Sequence, residues 1–104
     1  MAGVQAGRIY QTKSATVADT ALPISDAGWG WTAGNLALAD AAYVSVIAQP
    51  VSMTWDGTTP TTALGRPLVA NETVEVYGNA NVQAIQLIRQ GGVSATVSIA
   101  LVKF

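Results

Sequence analysis

The sequence predicts an all-β protein, a small antiparallel β-sandwich or jelly roll with an extended N-terminal arm. Short runs of alternating apolar and polar residues predict strands with one buried face. The clearest run is at the C-terminus, where Val93, Ala95, Val97, Ile99 and Leu101 alternate with Ser94, Thr96 and Ser98. Turn-forming residues separate the runs, and little of the chain favours a helix, which is typical of two antiparallel layers. A small closed barrel is the competing topology.

The 104 residues are enough for one domain with a single core. Residues 1–7 are small and weakly polar, which predicts an arm, and Arg8–Val17 is rich in β-forming residues, which predicts the first strand. We therefore divide the chain into the N-terminal arm and first strand, residues 1–13, and a single sandwich domain, residues 14–104.

The middle of the chain predicts two strands after one ambiguous segment. Leu36–Ala42 is rich in Ala and Leu, but its shortness favours an extended segment or a single helical turn. Tyr43–Gln49 fits a central strand that Pro50 interrupts. Val51–Trp55 then alternates, with Val51, Met53 and Trp55 on the buried face.

The remaining segments predict a loop and further strands. Asp56–Gly57 forms a turn, and the residues after it contain two prolines and a glycine, which predicts an ordered loop. Thr73–Tyr77 should place Val74 and Val76 inward. Val82–Arg89 reads as a strand, and Gly91–Gly92 favours a hairpin between it and the final strand.

The composition argues against several classes of function. Only 11% of the residues are charged, against roughly 25% in an average domain, and the net charge is −1. The five cations are scattered, so nucleic-acid binding is disfavoured. We expect no membrane span and no signal peptide, because no apolar stretch is long enough or suitably placed. A nearly uncharged surface suits a protein covered by partners; the alternative is a β-domain with a hydroxyl-rich surface.

No catalytic or cofactor site is expected. The chain has no His and no Cys, which excludes His-based relays, His-ligated metals and disulfides. The acidic residues fall in predicted turns or on outward strand positions, so a catalytic carboxyl pair is disfavoured. Gly28-x-Gly30-x-x-Ala33 matches a permissive dinucleotide fingerprint but lacks the preceding strand. Asn71-Glu72-Thr73 matches a glycosylation sequon, but we interpret these residues as part of a turn.

Two features, the tryptophan pair and Arg66, are candidate contact sites. Trp29 and Trp31 either protrude, as an anchor for a neighbouring subunit or a platform for a sugar ring, or fold back to plug an open end of the sandwich. Trp55 is expected in the core. Arg66 lies between Gly65 and Pro67 and could face a partner carboxylate, Asp56 or solvent.

One segment resembles a known group of proteins. Asp56-Gly57-Thr58, Pro60-Thr61 and Gly65-x-Pro67-Leu68, followed by Thr73–Tyr77, Gly91–Gly92 and a final alternating strand, are similar to short virion proteins of tailed phages. The resemblance covers 43–101. It implies a structural, non-enzymatic role on the virion, as a decoration (cement) protein made in the host cytoplasm and bound to the capsid surface.

The resemblance also implies partners. The major capsid protein would be the binding partner, a homotrimer is favoured, and the arm and tryptophan loop would contact the shell or sister copies. The expected interface residues are Arg8, Ile9, Tyr10, Trp29, Trp31 and Arg66. The alternative is a tail or fibre-tip component that binds host glycans through Trp29 and Trp31, and a sugar-binding module unrelated to phages is a third possibility.

Overall fold

The chain folds into two antiparallel four-stranded sheets in a computed structural model that describes residues 7–104. The first sheet has the strand order β1-β8-β3-β6, and the second has the order β2-β7-β4-β5. The strands are β1 (Arg8–Val17), β2 (Leu22–Pro23), β3 (Ala41–Ala48), β4 (Val51–Thr54), β5 (Arg66–Leu68), β6 (Thr73–Tyr77), β7 (Gln86–Arg89) and β8 (Ala95–Lys103). The prediction of a mostly β, antiparallel protein is confirmed.

Side chains from both sheets form one hydrophobic core. In the first sheet the alternation along β8 places Val97, Ile99 and Leu101 inward, where they are fully buried, as the sequence predicts. Val93 differs from the prediction, because it lies before the strand and is exposed. The second sheet contributes Met53 and Leu87 to the same core. Each fully buried side chain of this size stabilises the fold by about 1.5–3 kcal/mol.

Two connections carry the chain from one sheet to the other. Gln49, with a φ of +67°, and Pro50 lie between β3 of the first sheet and β4 of the second. Gly91–Gly92 connects β7 of the second sheet to β8 of the first, so the predicted hairpin at this glycine pair is wrong. The two strands joined by each connection are neighbours in sequence but belong to different sheets. Period-two patterning cannot reveal this, because it does not show which strands pair.

Strand β4 is buried on both faces, contrary to the alternation predicted for it. Ser52 is 1% exposed and accepts a hydrogen bond from the Gln90 side chain at 3.1 Å. Thr54 is 8% exposed and donates a hydrogen bond to the carbonyl oxygen of Thr58. Both hydroxyl groups have hydrogen-bond partners outside β4, so burying these two polar side chains costs little free energy.

Two short helices lie between the strands, one overlapping the segment for which a single helical turn was one of two alternatives and one overlapping a segment predicted as a strand. Helix α1 (Ala33–Leu38) begins before the predicted helical turn, because Thr32 and Asn35 form a reciprocal capping box at its start. Helix α2 (Asn79–Gln83) follows Gly78 and occupies the start of the segment predicted as one long strand. The Asn79 side chain ties the two helices together by donating to the carbonyl oxygens of Leu36 and Ala39 at 2.9 and 2.8 Å.

The first strand belongs to the sheet along its whole length. Arg8 pairs with Lys103 at one end of β1, and Val17 pairs with Ala95 at the other. Residues 8–13 are therefore part of the first sheet. The rest of the predicted arm, residues 1–6, lies outside the described residues.

The loop before β5 lies against β4 at Gly65. The φ of this glycine is +132°, and a Cβ atom there would lie 3.1 Å from the carbonyl oxygen of Met53. The prediction of an ordered loop agrees with this close approach. The edge strand β5, which contains Pro67, was not predicted.

Substitution of three glycines should separate backbone strain from steric collision. We expect Gly65→Ala to lower the free energy of unfolding by about 2–4 kcal/mol, because it combines a left-handed φ with contact against backbone atoms. Gly57→Ala should cost about 1 kcal/mol, since its φ is +91° but nothing lies within 4 Å. Gly92→Ala, with neither feature, is the control. Urea denaturation measures all three, and equal losses for Gly65→Ala and Gly57→Ala would contradict the collision.

Candidate functional site

The outward surface of the first sheet carries an ordered array of hydroxyl groups. Strand pairing places Ser14 beside Ser98, Ser98 beside Ser45, and Ser45 beside Thr73, so one row crosses all four strands. Neighbouring rows extend this surface, which we call the hydroxyl face: Thr12, Ser14, Thr16, Tyr43, Ser45, Thr73, Glu75, Thr96, Ser98 and Ala100. All of these residues except Glu75 and Ala100 carry a hydroxyl group.

The hydroxyl face is almost uncharged. Glu75 is the one ionisable carboxylate among its residues, and it accepts a hydrogen bond from the Tyr77 hydroxyl. That bond raises the pKa of Tyr77 above its usual value of 10.0. In the middle row the Ser45 and Thr73 hydroxyl oxygens lie 3.0 Å apart and share a hydrogen bond. The face therefore offers donors and acceptors to a partner without requiring the desolvation of many charges.

An exposed apolar group continues this surface at one end of the sheet. Strand pairing places Ile9 beside Val102, Val102 beside Ala41, and Ala41 beside Tyr77. Val102 and Ala41 are fully buried, but Ile9 and Tyr77 are 51% and 52% exposed. Phe104, 46% exposed, stacks on Tyr77 with ring centroids 6.2 Å apart. We call Ile9, Tyr77 and Phe104 the apolar corner.

Arg8 and Tyr10 lie beside the apolar corner but around a separate cleft. A β-bulge between Ile9 and Gln11 redirects Tyr10, whose hydroxyl donates to the Asn35 carbonyl oxygen at 2.6 Å. Arg8, Tyr10, Leu38 and Lys103 line a cleft of 180 Å³. Burial, with a smaller contribution from the charge on Asp40, raises the pKa of Tyr10. The predicted interface residues Arg8, Ile9 and Tyr10 thus lie together, with Leu38 as an exposed neighbour that the sequence did not indicate.

Asp40 holds the end of the chain in place beside the corner. Its carboxylate accepts a hydrogen bond from the Phe104 backbone N–H at 2.8 Å and forms an ion pair with Lys103 at 3.2 Å. The first contact and then the second lower the pKa of Asp40 below its ordinary value of 3.8. Because Phe104 belongs to the apolar corner, Asp40 is a positioning residue for that surface.

The stabilisation from Asp40 should depend on pH in one direction. Its pKa is lower in the folded state, so its contribution is complete above the unfolded value of 3.8 and is lost as the pH falls through the folded pKa. We expect Asp40→Asn to lower the melting temperature at pH 7, with the difference from wild type disappearing at strongly acidic pH. Asp19→Asn, in the exposed loop after β1, is the control. A deficit that persists unchanged at pH 2 would contradict this origin.

The two loop tryptophans fold back onto the core instead of protruding. A 3₁₀ turn at Ala27–Trp29, capped by Asp26, buries Trp29 to 2% exposure. Trp31 packs against the core and stacks on Trp29 at 6.4 Å, with the Lys13 ammonium 6.0 Å from its ring centroid. Of the two alternatives for this pair, the structure shows the one in which both rings fold back. The Trp29 ring is therefore not accessible to a sugar or a neighbouring subunit.

Arg66 and Trp55 lie on the second sheet, away from the hydroxyl face. Arg66 is about half exposed and forms a long ion pair with Glu72 at 3.9 Å, which contributes little at such an exposed position. Trp55 is half-buried at the end of β4, so the core position predicted for it is correct only in part. Both residues line an open cavity with Asp56.

Comparison with known proteins gives no relative: no protein-family model, no curated protein and no solved structure matches the chain. Across residues 7–104 there is no helix of sufficient length and apolar character to cross a membrane. The same residues include no group of three or more acidic side chains placed to hold a metal ion.

Proposed function

We propose that this chain is a non-enzymatic structural protein of a phage particle, a decoration protein that binds the major capsid protein on the outside of the capsid. The hydroxyl face is the observation that carries the proposal. An ordered, neutral sheet surface can pack closely on another protein, because its short side chains lose little rotamer entropy and its hydroxyl groups can adjust their hydrogen bonds.

The apolar corner supports the same attachment surface. Ile9, Tyr77 and Phe104 are each about half exposed and adjoin the hydroxyl face. A few well-packed aromatic anchors often contribute most of the binding energy of an interface, while nearby polar contacts exclude water. In this proposal the corner anchors the protein to the shell, and the hydroxyl rows beside it provide the complementary fit.

The size of the surface favours an oligomer, for which we propose a homotrimer. From a strand spacing of about 4.8 Å and a rise of about 3.4 Å per residue, the hydroxyl face covers on the order of 300–400 Å². A stable interface buries roughly 800 Å² per partner, so one copy would bind weakly alone. A trimer that spans a joint between capsid subunits would bind several sites at once and gain affinity through multivalency.

The strand order supports the proposal that the fold is a jelly roll. The pairs β1·β8, β2·β7, β3·β6 and β4·β5 are those of one long hairpin that wraps around a core, and they separate into the two observed sheets. Jelly rolls are common among viral capsid proteins and lectins. A fold does not determine function, so the proposed location on the particle depends on the hydroxyl face and the apolar corner.

Addition of the purified protein to empty heads of a phage that encodes it tests the proposal. We expect the heads to gain a fixed number of copies at saturation and to melt at a higher temperature, because a ligand that binds only the assembled shell stabilises it. Density for the added protein should lie on the outer surface with the hydroxyl face toward the shell. Heads that gain no copies at saturation would rule the proposal out.

A further inference from the structure

A second surface, on the opposite sheet from the hydroxyl face, forms an open cavity where β4 ends. Its volume is 380 Å³, which falls in the range of sites for small organic ligands, roughly 300–1,000 Å³. The lining residues come from the end of β4, the turn after it and the start of β5: Met53, Thr54, Trp55, Asp56, Thr58, Leu64, Gly65 and Arg66.

The carboxylate in this cavity is held in a fixed position. Asp56 accepts a hydrogen bond from the Thr58 backbone N–H at 3.0 Å, which closes an Asx turn. This bond and a second one from the Thr58 side chain lower the pKa of Asp56, so the group is ionised at neutral pH. A carboxylate has about four lone-pair positions, and those not used by Thr58 remain for hydroxyl groups of a ligand.

The cavity also contains a positive charge and an apolar wall. Arg66 contributes a guanidinium group, which also forms the long ion pair with Glu72. Trp55 and Leu64 contribute apolar surface, with the Leu64 side chain 50% exposed. A site with one acceptor, one donor and an aromatic ring suits a neutral ligand that has hydroxyl groups around its edge and C–H groups on its faces.

The loop that forms the cavity is braced by its own hydrogen bonds. Thr54 donates to the carbonyl oxygen of Thr58, and Thr61 and Leu64 exchange two backbone hydrogen bonds at 2.9 and 3.2 Å. Gly65 allows the loop to lie against β4. A cavity braced in this way requires little ordering when a ligand binds, which lowers the entropic cost of binding.

We propose that this cavity binds a neutral sugar ring, with the ring face against Trp55 and its hydroxyl groups hydrogen-bonded to Asp56 and Arg66. Phosphate is disfavoured because Asp56 would repel it, with Glu72 already paired to Arg66, and a cation is disfavoured because the Arg66 guanidinium would repel it. The site is independent of the attachment surface, because its residues belong to β4, β5 and the loop between them.

An NMR titration with methyl glycosides of glucose, galactose, mannose and N-acetylglucosamine, each up to 100 mM, tests the proposal. We expect at least one glycoside to shift the Trp55 indole N–H signal and the backbone signals of Thr58 and Arg66. Asp56→Asn keeps an oxygen for the Asx turn but removes the charge, so it should weaken binding by about tenfold or more. Asp26→Asn, which alters a similar turn at the Gly28 N–H, is the matched control and should bind as wild type does.

Several outcomes would overturn the proposal. These are an absence of shifts with every glycoside, equal binding by Asp56→Asn and wild type, shifts confined to Trp29 and Trp31, or a response at the cavity to inorganic phosphate but not to sugars. Leu64→Ala provides a second variant that leaves the Asx turn intact, and it should weaken binding, whereas Leu38→Ala, equally exposed elsewhere, should not. Attachment of Asp56→Asn to phage heads should equal that of wild type, which separates failure of this site from failure of the proposed capsid role.

Discussion

Replacement of Trp29 by Ala should lower the free energy of unfolding by about 3–5 kcal/mol, the largest loss expected from a single side chain in the loop before α1. The ring is 2% exposed and belongs to the core formed by both sheets. Its removal would leave a cavity that the surrounding strands cannot fill without moving. Urea denaturation with a fluorescence or circular dichroism signal measures the loss.

Two further variants show whether burial of Trp29 is the cause. Trp31→Ala should cost about 1–2 kcal/mol, because Trp31 is only partly buried. Trp29→Phe should recover most of the stability, because it keeps an aromatic ring and much of the side-chain volume, and the Trp29 indole N–H has no hydrogen-bond acceptor among residues 7–104. A loss below about 1 kcal/mol for Trp29→Ala would contradict a core role for the ring. If Trp29→Ala loses binding to a sugar or to phage heads, the fraction of folded protein therefore has to be measured under the same conditions.

In the proposed capsid role, replacement of Ser98 by Lys should reduce attachment to phage heads by about 100-fold or more while leaving the fold intact. Ser98 lies in the middle of the hydroxyl face, between Ser14 and Ser45. A lysine at this position would have to lose its water against the shell, and an unpaired charge in an interface costs several kcal/mol. In the free protein the long side chain can extend into solvent, so the expected change in stability is below about 1 kcal/mol.

The control for this prediction introduces the same charge elsewhere. Ser25→Lys places a lysine in an exposed loop outside the hydroxyl face and should attach as wild type does. Sedimentation of heads with bound protein, followed by counting of copies per head, measures both variants. Equal attachment of Ser98→Lys and wild type would show that the outer surface of the first sheet does not face the capsid.

The sequence was informative where a strand has one buried face. The alternation along β8 and β6 gave the correct inward residues, including Ile99 and Val76, because each lies in a sheet with a core on one side and solvent on the other. It failed at β4, where both Ser52 and Thr54 are buried, since a loop and a neighbouring side chain cover the second face. The covering residues lie outside β4, so the alternation within the strand does not reveal them.

The residues of the candidate surfaces are also brought together by contacts that the sequence pattern does not reveal. Alternation already indicated that Ser98 and Thr73 point outward, but only strand pairing placed them in one row with Ser14 and Ser45. The sequence left two alternatives for Trp29, and its burial depends on the 3₁₀ turn that Asp26 caps. The cavity at Trp55 could not be foreseen, because it depends on how closely Gly65 brings the loop to β4.

By itself the sequence determined that this is a mostly β protein with few charges and without the His and Cys side chains on which many catalytic and metal sites depend. Composition and period-two patterning are properties of residues that are close in sequence. They therefore do not depend on which segments contact one another in the folded chain. The tertiary structure decided which strands became neighbours, which indole rings were enclosed and which polar side chains gathered on one surface. Those outcomes depend on contacts between residues far apart in the chain, such as the row that joins Ser14 to Thr73, and local patterns do not encode them.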